Sequence, residues 1–134
     1  MIDPISEMLT KIRNAQKAGH KDVLVRFSKI KWAIAQILRD EDFVEDAFLE
    51  KGEKAEFVKM KLKYYPISAT EKKPAISEIR RVSKQGKRVY TKSKEIKNVK
   101  NNYGLAIIST PGGLMSGTNA RRKGLGGEYI CEVW

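Results

Sequence analysis

From Val58 to Tyr64 apolar and cationic residues alternate without a break, Val58, Met60, Leu62 and Tyr64 being interleaved with Lys59, Lys61 and Lys63. A period of two sends successive side chains to opposite faces of an extended chain, so this segment is a strand with one face in a core and a ladder of lysines on the other. Such a strand needs a partner, and "FVEDAFLE" just before it, ending at Lys51-Gly52, completes a hairpin. Upstream, "DPISEMLTKIRNAQKAG" places Asp3 as an N-cap, Pro4 at the first helical position, and Ile5, Met8, Leu9 and Ile12 on one face before Gly19. "DVLVRF" is a short strand, and Ser28 caps a second helix whose stripe is Ile30, Ala33, Ile34, Ile37 and Leu38. The order over the first half is therefore αβαββ.

"PISATEKKPA", Pro66 to Ala75, holds two prolines and little periodicity, and it marks a boundary between a domain at 1–66 and one at 67–134. Beyond it, "AISEIRRVS" and "KRVYTKS" read as strands joined through "KQG", "KEIKNVKNN" as a helical turn or a loop, and "GLAIIS" as a buried strand. Ser116 caps a short helix through Arg122 that Gly124 ends, and "EYICEVW" closes the chain as an alternating strand. The fold class is α+β: two small domains, the second mainly β with one short helix. Halves of this size bury only roughly 60% of their unfolded surface, so the two are expected to pack together.

Charge narrows the function. Of the formal +11, residues 1–66 contribute 13 Lys and Arg against 11 Asp and Glu, and residues 67–134 contribute 14 against 5. A net of +2 against +9 puts the attraction for a polyanion in the second half. No apolar run approaches the roughly 20 residues that cross a bilayer, and "MIDPISEML" has no signal-peptide pattern, so a cytoplasmic protein without membrane contact is expected. One cysteine, Cys131, and one histidine, His20, make neither a disulfide framework nor a zinc site of Cys/His type, and no metal or cofactor is expected.

The glycine-rich stretch "STPGGLMSGTNARRKGLGGE" admits three partners: a nucleotide phosphate, a nucleic-acid backbone, or nothing beyond a tight turn. It lacks both the Gly-Lys-Ser/Thr of a phosphate loop and a G-x-G-x-x-G. Ser109 and Thr110 would emerge at the end of a buried strand, with Pro111, Gly112 and Gly113 turning the chain and hydroxyls and amides facing outward, a set of short donors suited to the shallow groove of RNA. Arg121, Arg122 and Lys123 follow closely. "RRVSKQGKRVYTKSK" crowds Lys84, Lys87 and Arg88 around a turn, with Tyr90 to stack on a base and Ser83 to donate a hydrogen bond. Cys131 has no base near it in sequence and reads as a buried hydrophobe sharing a strand face with Tyr129 and Val133. The acidic run Asp40, Glu41, Asp42, Glu45 and Asp46 and the lysine ladder read as solvated surface.

Three ordered stretches, "DPISEMLTKIRNAQ", "RRVSKQGKRVY" and "GLAIISTPGGLMSGTNARRKGLGGEYICEVW", resemble the small-subunit ribosomal protein family numbered eight over essentially the whole chain. The resemblance implies a non-enzymatic protein, a monomer outside the ribosome, that binds the central domain of small-subunit ribosomal RNA beside neighbouring small-subunit proteins. It also implies, for many bacteria, repression of the protein's own operon through its messenger RNA; the bacterial type is the reading, an organelle-encoded copy being the secondary alternative, and the rival reading is an RNA-binding regulator off the ribosome. By resemblance Ser109, Thr110, Gly113, Tyr90 and Glu128 match the family's RNA-reading residues, and Arg13, Asn14, Ser28, Lys29 and Lys31 a weaker second surface. Three departures stand out: Pro111 replaces a usual Ser or Thr, Gln85 a usual proline, and Gly117 and Asn119 replace residues of a usual cap.

Overall fold

A computed structural model describes residues 3–99 and 104–134. The chain divides into two compact units, Met1–Ser77 and Glu78–Trp134.

The first unit begins with helix α1, Pro4–Lys17, started by Asp3, whose carboxylate accepts from the Ile5 and Ser6 amides at 3.1 and 3.2 Å. Strand β1 (Asp22–Arg26), helix α2 (Lys29–Asp40) and strands β2 (Val44–Lys51) and β3 (Glu56–Leu62) follow in the expected order. The antiparallel sheet runs β1-β3-β2. Its inner face carries Val23, Val25, Ala47, Val58 and Met60, and the helices bury Met8, Leu9, Ile12, Ile34, Ala35 and Leu38. The lysine ladder is neutralised: Lys59 lies 3.9 Å from Glu50, Lys61 3.6 Å from Glu45 and Lys63 2.8 Å from Asp42.

The alternation does not carry Tyr64 into this core. After Leu62 the chain leaves the sheet, and Tyr64–Pro66 (β4) pairs instead with Lys72–Pro74 (β5) in a separate two-stranded ribbon. The ribbon is tied back to the first unit by the Ala75 amide on the Lys63 carbonyl and by the Tyr64 hydroxyl on the His20 carbonyl, 2.9 and 2.5 Å.

Among the described residues of the second unit, every strand but one pairs with the last. Strand β10 (Gly127–Val133) takes β8 (Leu105–Thr110) on one edge and, on the other, β6 (Ile79–Arg81) and β7 (Tyr90–Thr91) one after the other; β9 (Gly113–Ser116) pairs with β8. The two strands joined through "KQG" thus dock end to end on β10 and do not pair with each other beyond a bridge at Lys84 and Lys87. Ser93–Glu95 forms a single 3-10 turn, and residues 100–102 of "KEIKNVKNN" lie outside the described residues. Helix α3, Gly117–Arg122, starts at Ser116 and gives way at Gly124, φ 69°.

A bulge in β10 corrects the reading of Cys131. Tyr129 faces Ile108 and Cys131 faces Ile107, consecutive residues that point to opposite sides, so Cys131 and Tyr129 do not share a face. Tyr129 packs with Ile96, Ala106, Ile108, Met115 and Ala120, whereas Cys131 stands in register with Ile107 and Arg81. It is fully buried, and that burial pushes its thiol pKa up to about 12.

Candidate nucleic-acid interface

Strand β10 gathers the candidate site. Glu128 is opposite Ser109 on β8 and opposite Tyr90 on β7, and Ser109 is opposite Leu114 on β9. Residues directly across a ladder share a face, so Tyr90, Glu128, Ser109 and Leu114 form one row across the sheet. Strands are spaced about 4.8 Å apart, which sets the Tyr90 and Ser109 backbones about 10 Å from each other. Tyr90 is 68% exposed. Ser109 is half-buried, and its hydroxyl has no partner among the described residues.

The row depends on two glycines. A Cβ on Gly127 would overlap the carbonyl of Ser109, and one on Gly126 would overlap the carbonyl of Thr91. Only a bare backbone lets β10 pass this closely between β7 and β8.

Thr110 has the opposite orientation from Ser109, as successive strand residues must. It is buried; its hydroxyl donates to the Gly113 carbonyl at 2.8 Å and accepts from the Gly112 amide at 3.1 Å. The expectation of outward hydroxyls and amides therefore holds only for Ser109. Thr110 closes the Pro111-Gly112 turn, Gly113 supplies φ 109°, and Gly112 and Gly113 are exposed.

Glu128 organises the basic loop. Its carboxylate accepts from the Ser83 hydroxyl at 2.5 Å and from Arg88 Nη1 at 2.9 Å, and Ser83 in turn accepts from the Val89 amide at 3.1 Å. Burial pushes the Glu128 pKa up, but the hydrogen bonds from Ser83 and Arg88 and the charges of Arg88 and Arg81 outweigh it, and the net shift is downward. Ser83 is wholly buried, so the donor expected for a ligand serves this clasp instead. At the loop tip the backbones of Lys84 and Lys87 exchange hydrogen bonds of 3.1 and 3.0 Å around Gln85-Gly86, with Gly86 at φ 80°. Their side chains are exposed and unpaired among the described residues.

The remaining cations also sort by use. Arg121 clamps α3 down, donating to the Ile96 carbonyl at 2.9 Å and to the Asn98 side chain at 3.0 Å, while Arg122 projects without a partner among the described residues. In the first unit Ser28 accepts from the Lys31 amide as a helix cap, and Lys31 reaches the Arg26 carbonyl at 3.2 Å. Asn14 and Lys29 are exposed; Arg13 is half-buried on α1. Leu114, which sequence reasoning passed over, joins the row through its pairing with Ser109; the alternation of "GLMS" was the signal for it. Among the described residues no three His, Cys, Asp or Glu side chains converge as metal ligands.

A cationic loop, an exposed ring and an uncommitted hydroxyl thus lie together on one sheet, with no convergent metal ligands among the described residues. The chain belongs to the ribosomal protein S8 family, structural and non-enzymatic: the family model described as ribosomal protein S8 matches residues 3–134. The small ribosomal subunit protein uS8 of Nitratidesulfovibrio vulgaris is 47% identical over 134 residues, covering 100% of this chain and 99% of the relative. Those of Roseiflexus castenholzii and Leptospira biflexa are 45% and 46% identical over 132 residues, each covering 98% of this chain and 97% of the relative.

Proposed function

We propose that this chain is a structural component of the small ribosomal subunit in the cytoplasm, binding the central domain of small-subunit ribosomal RNA directly and lying against neighbouring small-subunit proteins. The observation that carries the reading is the row on β10, in which the Ser109 hydroxyl and the Tyr90 ring flank Glu128 beside the unpaired Lys84 and Lys87. Lysines meet phosphates whatever the sequence, whereas the hydroxyl and the ring read shape at short range. Gly112, Gly113 and Arg122 supply close backbone and charge at the rim; Ser83, Arg88, Thr110, Arg121 and Glu128 hold these groups in place. Asn14, Lys29 and Arg13 form the second, weaker surface. Repression of its own operon would use the same row on a messenger that imitates the ribosomal site.

The test is binding of central-domain RNA over a salt series. Lys84→Gln and Lys87→Gln should each lower the slope of log K against log salt by about 0.7–0.9 on any RNA. Ser109→Ala should leave the slope unchanged and cost roughly 1–3 kcal/mol on the cognate RNA alone. Equal behaviour of all three variants and the parent would refute the assignment. A regulator acting off the ribosome would bind RNA but fail to sediment with small subunits in high salt.

A further inference from the structure

We propose that the ribbon of β4 and β5 is a second RNA-contacting element, in which Tyr65 stacks on a base or ribose and Lys73 meets a phosphate; this rests on the reading of the chain as a ribosomal RNA binder. The ribbon has two unlike faces. Register pairs Tyr64 with Pro74 and Pro66 with Lys72 on one face, and Tyr65 with Lys73 on the other. The first face is pinned: the Tyr64 hydroxyl donates to the His20 carbonyl, and Lys72 Nζ stands 4.2 Å from the Tyr64 ring centre and 3.5 Å from the Gly19 carbonyl. Contacts at the end of α1 thus fix the orientation of the ribbon, and the second face is turned away from them.

That second face carries the chemistry. Tyr65 is 49% exposed, Lys63 Nζ lies 5.4 Å from its ring centre, and Lys73 is directly across the ladder from it. Lys63, held by Asp42, lies against the ring, so the tyrosine offers its exposed surface to a base and the free amine of Lys73 across the ladder offers charge to a neighbouring phosphate. The use of acids elsewhere in this unit sharpens the contrast. Lys59, Lys61 and Lys63 each have a carboxylate, while Lys73 has none among the described residues. Only one acid, Glu71, occurs between residues 63 and 74. The turn that joins the strands is itself ordered, with the Ile67 and Ser68 amides on the Glu71 carbonyl and the Ser68 hydroxyl accepting from the Thr70 and Glu71 amides. A preset ring and cation on an ordered ribbon lose little freedom on binding.

The full chain is titrated onto transcribed central-domain RNA over a salt series, with folding of each variant checked by circular dichroism. Lys73→Gln should lower the log–log salt slope by about 0.7–0.9, and Tyr65→Ala should weaken binding about 10-fold at an unchanged slope, with Tyr65→Phe restoring it. Lys59→Gln, which removes an acid-paired lysine, should change neither quantity. Parental binding by both Lys73→Gln and Tyr65→Ala, while Lys84→Gln still loses slope, would overturn the ribbon's role and leave the proposed function standing. If the parent chain fails to bind the RNA, both fall. If the two ribbon variants are defective only in sedimenting with whole subunits and not on RNA alone, the ribbon meets a protein and the RNA assignment is overturned.

Discussion

Two hydroxyls one bond apart in the sequence do different work, and strand geometry alone separates them. The Ser109 hydroxyl has no partner among the described residues; Thr110 commits its own to a turn. Glu128 is a third case, a carboxylate beside a candidate polyanion site whose charge is already answered by Arg88 and Ser83. Its folded pKa lies below the ordinary 4.5, so the clasp contributes stability above that value and loses it as pH falls through it toward the folded pKa. Glu128→Gln should therefore flatten the acid side of the stability curve, below about pH 4.5, and cost about 1.5–3 kcal/mol at neutral pH, measured by urea denaturation across pH. An identical pH dependence in the variant would show the clasp to be idle.

At the level of elements, the basic loop is a tight turn whose chemistry is incomplete. Gly86 takes the positive φ that the third position of a type II turn requires, and the position before it favours proline, where this chain has Gln85. The Gln85 amide makes no hydrogen bond among the described residues, so Gln85→Pro should stabilise the protein by about 0.4–1 kcal/mol through the unfolded state without altering RNA affinity. Thermal unfolding of the two proteins decides it. The helices, the β2–β3 hairpin and the Ser116 cap were legible in the sequence because caps and periodicity are local signals. What escaped was non-local: the docking of β6 and β7 on the same edge of β10, and the bulge that turns Cys131 to the other face. The gathering of Ser109, Glu128 and Tyr90 into one row follows from those pairings, so sequence could name its members without assembling them. The Ser83 clasp escapes the sequence for the same reason, since its partner Glu128 lies 45 positions away.

Across the whole molecule, the +11 is unevenly deployed. The first unit holds 15 Lys and Arg against 12 acids and spends much of that charge on its own sheet face; the second holds 12 against 4 and leaves its loop lysines open. Cys131 gives access to the opening of the second unit, because a thiol that is fully buried with a pKa near 12 reacts only when the sheet parts. Labelling by a thiol reagent in native buffer should be slower by several orders of magnitude than in urea, and its rate should rise with denaturant in step with loss of the second unit; fast native labelling would contradict the burial. The passage of β10 at Gly127 has a genetic corollary. Any side chain there drives into the Ser109 carbonyl and pushes β8 off β10, so a search for mutants that fail to assemble ribosomes should return Gly127 as readily as a residue that touches the partner. Second-site suppressors of such a mutant should arise in the protein, along β8, and not in the RNA.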